Sequence, residues 1–208
     1  MQTKGVLVVV SGFSGAGKGT VMKALLEKYD NYALSVSATT RNPRPGEENG
    51  REYFFLTESQ FEDMIRNDEL IEHARYVDHY YGTPRKYVED KIAAGKDVIL
   101  EIEIQGALNI KKKFPDALLV FIVPPTAEDL KKRLIGRGTE SAEVIEKRLR
   151  RAAEESDGMA SYDYIVVNDD VDTCVEDLHS LIRSSHFKES ANTDLVARMK
   201  QELHDMTK

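Results

Sequence analysis

Apolar and polar positions follow one another along the chain in blocks that predict strands and helices in alternation. Short apolar runs rich in β-branched residues, with no regular polar position between them, are typical of strands buried on both faces. These runs are Gly5–Ser11, Asp97–Ile102, Ala117–Val123 and Tyr164–Val167. Segments with apolar residues at helical spacing predict helices at Thr20–Tyr29, Pro84–Ala94, Gln105–Lys113, Ala127–Ile135 and Ala142–Ala160. This order predicts an α/β fold with a mostly parallel sheet flanked by helices.

Two segments interrupt the alternation. Residues 35–84 contain short tyrosine-rich strands, a loop rich in Pro, Gly and Glu, and a helix at Glu58–Asn67, which together predict an inserted small α+β lobe. Residues 126–159 include a polar loop, 136–142, between two charged helices, and we expect this region to act as a mobile lid. The other predicted parts are a core formed by residues 1–34, 85–125 and 160–190, and a C-terminal helical tail at residues 191–208.

The glycine-rich run Gly12–Thr20, with the sequence GFSGAGKGT, lies between the first predicted strand and the first predicted helix. A glycine loop in that setting is typical of a phosphate-binding loop. Glycines let successive N–H groups point into one concavity, and the helix adds the positive end of its dipole. Lys18 adds a full charge at the β- and γ-phosphates of a nucleotide. The predicted ATP ligands here are Ser14, Gly15, Ala16, Gly17, Lys18, Gly19 and Thr20.

The phosphate loop departs from the usual pattern at one position. Gly19 follows the lysine where such loops normally carry Ser or Thr, and Thr20 comes next. The hydroxyl that would ligate Mg²⁺ is therefore displaced, and phosphates and water are expected to supply more of the metal's ligands, which Mg²⁺ accepts. Glu101 follows a predicted buried strand, and the carboxyl ends of parallel strands face the ligand crevice. Thr20 and Glu101, the latter through water, are the candidates for the metal side.

Composition narrows the class of protein. A chain of 208 residues with 41% apolar residues suits one α/β domain with insertions. The net charge of −7 argues against a general nucleic-acid surface, although local arginine clusters can still hold a small anion. The single cysteine, Cys174, excludes a disulfide framework. No segment has the pattern of a signal peptide or a membrane span, so we expect a soluble cytoplasmic protein without a membrane partner.

Residues 35–55, with the sequence SVSATTRNPRPGEENGREYFF, closely resemble the corresponding segment of guanylate kinases. The resemblance continues through Ile71–Ala74, Tyr80–Thr83, Ile104–Ala107, Arg133–Glu140 and Val166–Asp169, and covers residues from about 5 to about 183. It implies a nucleoside-monophosphate kinase of the phosphate-loop superfamily, with residues 35–84 as a GMP-binding lobe. Such an enzyme transfers the γ-phosphoryl group of ATP to GMP and uses Mg²⁺.

Two other functions compete with this interpretation. Guanylate-kinase-like domains in scaffolding proteins bind phosphorylated peptides without catalysis, but those typically have a degraded phosphate loop and lack the lid arginines. Here Lys18, Arg137 and Arg148 are all present. A phosphate-loop kinase for another small phosphate is the second alternative, and Glu72 together with the arginines and tyrosines of the small lobe argues against it.

The resemblance also implies roles in the acceptor site. Arg41 and Arg44, in a loop stiffened by prolines, can grip one phosphate dianion from two sides, and Tyr53 and Tyr81 can donate to the same group. Glu72 matches the position that reads guanine, because a carboxylate accepts from N1–H and the 2-amino group together. The proposed GMP ligands are Ser37, Arg41, Arg44, Tyr53, Glu72, Tyr81, Thr83 and Glu103; many relatives carry Asp at the last position.

On the donor side, Arg137 and Arg148 match lid arginines that reach the transferring group, and Arg133 and Asn168 match positions near the adenine. The implied catalytic residues are Lys18, Arg41, Arg137 and Arg148. The tail carries Leu195, Met199 and Leu203 at helical spacing; it could pack on the core, pair with another subunit or be a terminal helix without a chemical role, and we expect packing on the core. The sequence leaves the oligomeric state and the use of dGMP open.

Overall fold

The computed structural model describes residues 4–76, 78–136 and 141–207. In chain order its elements are β1 (Leu7–Gly12), α1 (Lys18–Lys28), β2 (Tyr32–Leu34), β3 (Ser37–Thr39), β4 (Tyr53–Phe55), α2 (Glu58–Arg66), β5 (Leu70–Tyr76), β6 (His79–Pro84), α3 (Arg85–Ala93), β7 (Asp97–Glu101), α4 (Ile104–Lys113), β8 (Leu118–Val123), α5 (Ala127–Gly136), α6 (Ala142–Ser156), β9 (Tyr164–Val167), α7 (Val171–Ser185) and α8 (Thr193–Met206). None of the helices in the described ranges is long and apolar enough to cross a membrane.

The larger sheet has five parallel strands in the order β2-β7-β1-β8-β9. Strand β1 lies at its centre, with Val8 paired to Ile99 on one side and to Leu118 on the other. Helices α1 and α7 cover one face through a cluster that includes Leu25 and Leu178. Helices α3 and α4 cover the other face. The predicted α/β fold is therefore confirmed, and the apolar runs without polar positions are strands covered on both faces.

The smaller sheet has four strands in the order β4-β3-β6-β5 and lies within the small lobe. Strands β3 and β4 are parallel, whereas β6 is antiparallel to both β3 and β5. Helix α2 begins after Thr57, which forms a reciprocal capping box with Gln60, and packs the buried Phe61 against Ala38 and Leu70. The sheet thereby places strand β5 and strand β6 along one wall of the space above the carboxyl ends of the larger sheet.

Several boundaries differ from the sequence predictions. Strand β2 is an additional edge strand of the larger sheet, and its three residues are too few for a periodic signal. Helix α1 begins at Lys18 rather than near Thr20. The helix predicted to reach Ala160 ends at Ser156, and a 3-10 turn follows at Asp157–Ser161.

Two further expectations concern the tail and the cysteine. Helix α8 forms as expected, but Leu195, Met199 and Leu203 remain 40%, 44% and 57% exposed, so this stripe is not buried on the core. Cys174 is fully buried in the cluster between α1, α7 and the sheet, as a small apolar residue would be. The predicted mobile loop at 136–142 includes residues 137–140, which lie outside the described residues.

Candidate active site

The glycine-rich loop connects β1 to α1, and two of its glycines are required by geometry. Gly15 and Gly17 have positive φ angles of 94° and 90°. A Cβ on Gly17 would lie 2.5 Å from Nδ2 of Asn168, so no larger residue fits there without a shift. Lys18 is the first residue of α1, and its ammonium donates to the carbonyls of Gly12 at 2.7 Å and Phe13 at 3.2 Å. The loop thus curls around the ammonium at the mouth of the helix.

Three predicted donor-side residues brace this loop. Nδ2 of Asn168 donates to the Ala16 carbonyl at 2.8 Å, and NH1 of Arg133 donates to the same oxygen at 3.3 Å. NH2 of Arg133 also donates to the backbone carbonyl of Asn168 at 2.8 Å. From helix α6, Arg148 donates a short hydrogen bond to the Ser14 hydroxyl. These contacts hold the loop from beneath and from the side of the lid region.

A cavity of about 410 Å³ lies beside the phosphate loop and contains both candidates for the metal side. Thr20 and Glu101 line it together with Lys18 and the loop glycines. Glu101 is the exposed last residue of β7; desolvation by nearby protein atoms raises the pKa of its carboxyl, and the charge of Lys18 opposes that effect. A hydroxyl and a carboxylate beside a phosphate cradle are oxygen ligands of the kind that Mg²⁺ takes. Among the described residues, no cluster of three or more His, Cys, Asp or Glu side chains could hold a metal by itself.

A second cavity, of about 390 Å³, lies between the two sheets. It joins the phosphate loop to the small lobe, because residues of both line it. The predicted site residues in its wall are Ser14, Lys18, Ser37, Tyr53, Glu72, Tyr81, Glu101 and Glu103. The structure thus brings Lys18 and Ser14 of the donor side to the same cleft as five of the predicted GMP ligands.

Glu72 is the most strongly perturbed carboxylate of the cleft. It lies on β5 opposite Thr83 of β6, is 4% exposed, and accepts a hydrogen bond from the Thr83 hydroxyl at 2.7 Å. Burial raises the pKa of Glu72 from 4.5 to about 7, the hydrogen bond from Thr83 opposes this rise, and the nearby charge of Glu103 adds to it. Thr83 is itself fully buried, and its hydroxyl donates to the Glu72 carboxylate.

Glu103 lies in the same wall but has a structural partner. Its two carboxylate oxygens accept from the backbone N–H groups of Gln105 and Gly106, each at 2.8 Å, and so cap the start of α4. Gly106 separates it from Glu72, and a Cβ on Gly106 would lie 3.0 Å from the Glu72 Oε2.

Arg41 and the two tyrosines form a cluster at the rim of the cleft. The Arg41 guanidinium lies 5.3 Å from the ring centre of Tyr53, and the rings of Tyr53 and Tyr81 are 6.0 Å apart. The NH1 and NH2 groups of Arg41 donate to the two carboxylate oxygens of Glu47 at 3.0 Å each. Arg44 lies on the exposed loop beyond this cluster. The fourth predicted catalytic residue, Arg137, lies outside the described residues.

Three residues of this region were not predicted from the sequence. Ser11 and Glu155 line the cleft, and Glu47 holds Arg41. Ser11 is buried and donates to the carbonyl of Ile102 at 2.7 Å. Glu155 lies seven residues after Arg148 on α6, and this spacing places both on one helix face. That spacing could have indicated Glu155; the roles of Ser11 and Glu47 depend on contacts that the sequence does not display.

Comparison with known proteins agrees with this geometry. The family model for guanylate kinase matches residues 4–185. The guanylate kinase of Caldanaerobacter subterraneus subsp. tengcongensis is 48% identical over 202 residues, which cover 97% of this chain and 98% of that protein. The enzyme of Lactococcus lactis subsp. lactis is 51% identical over 188 residues, or 90% of this chain and 92% of the relative. The crystal structure of guanylate kinase from Anaplasma phagocytophilum superposes with a TM-score of 0.74 at 34% identity, covering 90% of this chain and 89% of that one.

Proposed function

The chain belongs to the guanylate kinase family and is an ATP:GMP phosphotransferase, and we propose that the transfer takes place in the cleft between its two sheets. The observation that supports this location best is that Lys18 and Glu72 line the same cavity. One end of the cavity carries a cation within a phosphate cradle, and the other carries a buried carboxylate suited to a guanine edge. The products are ADP and GDP, and the reaction is reversible.

On the donor side, the N–H groups of Gly15 to Thr20 and the ammonium of Lys18 bind the phosphates of ATP. Arg148, which already contacts Ser14, approaches the transferring group from helix α6. Arg137 joins it on the strength of the family resemblance. Phosphoryl transfer spreads charge over the equatorial oxygens, so cations placed around them stabilise the transition state. Arg133 and Asn168 keep their proposed place near the adenine, next to the loop that they brace.

Mg²⁺ is the metal we propose for this site. Thr20 and Glu101 would hold it on the side of the protein, Glu101 through water, and the phosphates would complete its shell. Bound there, Mg²⁺ neutralises part of the charge on the nucleotide. The protein would supply only two ligands, which suits a metal that arrives bound to its nucleotide.

On the acceptor side, ionised Glu72 accepts from N1–H and the 2-amino group of guanine. Adenine presents an acceptor at N1, which a buried carboxylate repels, so AMP is rejected. Ser37 lines the cavity beside this edge, and Glu103 is a further guanine contact by resemblance. Thr83 acts through Glu72, because its hydroxyl donates to that carboxylate.

The phosphate of GMP binds Arg41 and Arg44 and accepts hydrogen bonds from Tyr53 and Tyr81. Its attacking oxygen is already anionic, so the reaction needs no general base. What the site supplies is alignment of two phosphates and exclusion of water, which would otherwise take the phosphoryl group. Closure of the lid region over the cleft would provide that exclusion.

A coupled assay for ADP release tests the proposal, with ATP and each of GMP, dGMP, AMP, UMP and CMP as acceptor. We expect turnover with GMP and little with AMP, UMP or CMP; the dGMP arm measures what the 2′-hydroxyl contributes. The relatives named above are all guanylate kinases, which favours the enzyme over a phosphopeptide-binding module. Absence of turnover with every acceptor would favour the module. The cytoplasm is the proposed compartment, in keeping with the single buried cysteine.

A further inference from the structure

The loop that carries Arg41 and Arg44 is closed by a tight turn. The N–H of Glu47 donates to the carbonyl of Arg44 at 3.0 Å, and Gly46 has a φ of 87°. Proline followed by glycine at the two central positions, with positive φ at the glycine, is typical of a type II turn. The turn folds the Glu47 side chain back over the loop, where Oε2 accepts from the backbone N–H of Arg44 at 2.7 Å.

The same carboxylate grips the Arg41 guanidinium with both oxygens, at 3.0 Å each. The pair is largely shielded from water, with side-chain exposures of 13% for Arg41 and 17% for Glu47. The neighbouring pair of Glu48 and Arg51 is different, because those side chains are 70% and 54% exposed. Paired contacts in a shielded setting fix orientation, whereas exposed pairs contribute little. Glu47 is therefore built into the loop, and Glu48 is a surface residue.

The aromatic neighbours define which way Arg41 points. Its guanidinium lies against the rings of Tyr53 and Phe55, at 5.3 and 5.7 Å from their centres. A guanidinium has five N–H donors, and three of them go to Glu47 and to the Asn42 carbonyl. The donors not used in these three bonds are Nε–H and the second hydrogen of NH2, and the Tyr81 side chain also interacts with this guanidinium. Tyr53 and Tyr81 both line the cleft.

We propose that Glu47 is a positioning residue for the acceptor phosphate: it holds the Arg41 guanidinium so that the donors it does not use face the cleft. This inference rests on the proposed function, since it assumes that the phosphate of GMP is the anion at Arg41. Glu47 also cancels much of the charge of Arg41, so this arginine recognises the phosphate by directed hydrogen bonds. Arg44, on the exposed part of the loop, supplies net positive charge.

Glu47 could instead compete with the phosphate of GMP for the Arg41 guanidinium. A carboxylate on the arginine fork could exclude the phosphate, and removing it would then tighten GMP binding. The two roles predict opposite changes in the KM for GMP when Glu47 is replaced. Glu47→Gln tests them, because the amide keeps the size of the side chain and loses its charge and its second acceptor. Glu48→Gln is the matched control, since it removes the same charge from the next residue.

For Glu47→Gln we expect the KM for GMP to rise about tenfold, with kcat and the KM for ATP within about threefold of wild type. Glu48→Gln should leave all three within about twofold. In an Arg41→Lys background, Glu47→Gln should have no further effect, because Glu47 acts through the fork that lysine lacks. Calorimetric titration with GMP alone should show the same loss of affinity, and the melting temperature without GMP should stay close to that of the wild type.

Four results would overturn the inference: a lower KM for GMP in Glu47→Gln, no change, an equal change in Glu48→Gln, or a matching rise in the KM for ATP. The first would make Glu47 a competitor, and the last would make it a residue of general stability. If the wild type neither binds nor turns over GMP, the proposed function fails instead. That result is distinct, because it appears before any variant is compared.

Discussion

The phosphate loop and the rim of the small lobe are both proposed to bind an anion, but they are built in opposite ways. The loop uses consecutive residues and backbone N–H groups, on a turn that glycines permit and a buried strand supports. The small lobe gathers side chains from β3, β4, β5 and β6 and from the loop that carries Arg41. The first site depends on local conformation. The second depends on packing and on charges that tertiary structure places together.

The difference extends to electrostatics. Lys18 lies against backbone carbonyls at the mouth of a helix, where the dipole already favours an anion. Glu72 is only 4% exposed, and burial raises its pKa to about 7. Recognition of the guanine base should therefore depend strongly on pH.

The largest effect is expected on the loop side, from Lys18→Met. Loss of the charge at the transferring phosphate should lower kcat by about 10³ or more. GMP binding should survive, because the small lobe is untouched, and calorimetry with GMP measures this. Lys23→Met is the control, since Lys23 lies on the same helix with its side chain 78% exposed. Comparable loss of GMP binding in Lys18→Met would show that the two sites are not separable.

Glu72→Gln should have the largest effect on the small-lobe side. The KM for GMP should rise about 100-fold, because the amide cannot accept both guanine donors, while the KM for ATP stays near wild type. The wild-type KM for GMP should increase as pH falls below about 7, since GMP needs ionised Glu72. In Glu72→Gln the change in KM centred near pH 7 should be absent. Steady-state kinetics across this range would contradict the assignment if both proteins gave the same profile.

The same substitution has a consequence for stability. The pKa of Glu72 is higher in the folded protein than in the unfolded chain, so the wild type loses stability as pH rises from about 4.5 through about 7. Glu72→Gln removes that loss. At pH 8 and without nucleotide, the variant should have a free energy of unfolding up to about 3 kcal/mol higher than the wild type. Urea denaturation at pH 5 and pH 8 measures the difference, which should shrink at the lower pH.

Gly17→Ala tests whether the loop binds ATP through its backbone N–H groups. The new Cβ would lie 2.5 Å from Asn168 Nδ2 on a residue with positive φ, so the loop must shift. We expect the KM for ATP to rise at least tenfold and the protein to lose about 1–3 kcal/mol of stability. Gly19→Ala is the control, because nothing lies within 4 Å of its Cβ position. Equal effects of the two substitutions would remove the geometric argument.

The smallest effect is expected from Thr83→Val. The Thr83 hydroxyl lowers the pKa of Glu72, so its loss should move the pH midpoint of the KM for GMP upward. At pH 7.5 the KM itself should rise about threefold. Thr39→Val is the control for the midpoint: Thr39 is also fully buried in the smaller sheet, but its hydroxyl donates to the Tyr80 carbonyl at 2.9 Å and accepts from the Arg41 backbone N–H at 3.2 Å, and neither bond involves Glu72. A shift of the midpoint in Thr39→Val as well would trace the effect to the sheet as a whole.

Much of the fold could be predicted because its signals are local. The apolar runs of β1, β7, β8 and β9 identified a parallel sheet, and the interruption at residues 35–84 coincides with the separate four-stranded sheet. Strand β2 was missed, since three residues give no periodicity. The end of α6 was placed too late, because Gly158 turns the chain close to Ile104 and the sequence does not show that contact. The assignment of individual site residues stays a prediction.

By itself, the sequence determined the phosphate loop, the order of strands and helices, and the motifs of the guanylate kinase family. These features reside in consecutive residues, whose backbone preferences act over one or two turns of chain. Only the tertiary structure decided that Thr83 serves Glu72, that Glu103 caps a helix, that Asn168 holds the loop and that Glu47 grips Arg41. Those roles come from burial and from hydrogen bonds set by packing, and between distant residues such as Asn168 and the loop no sequence spacing records them.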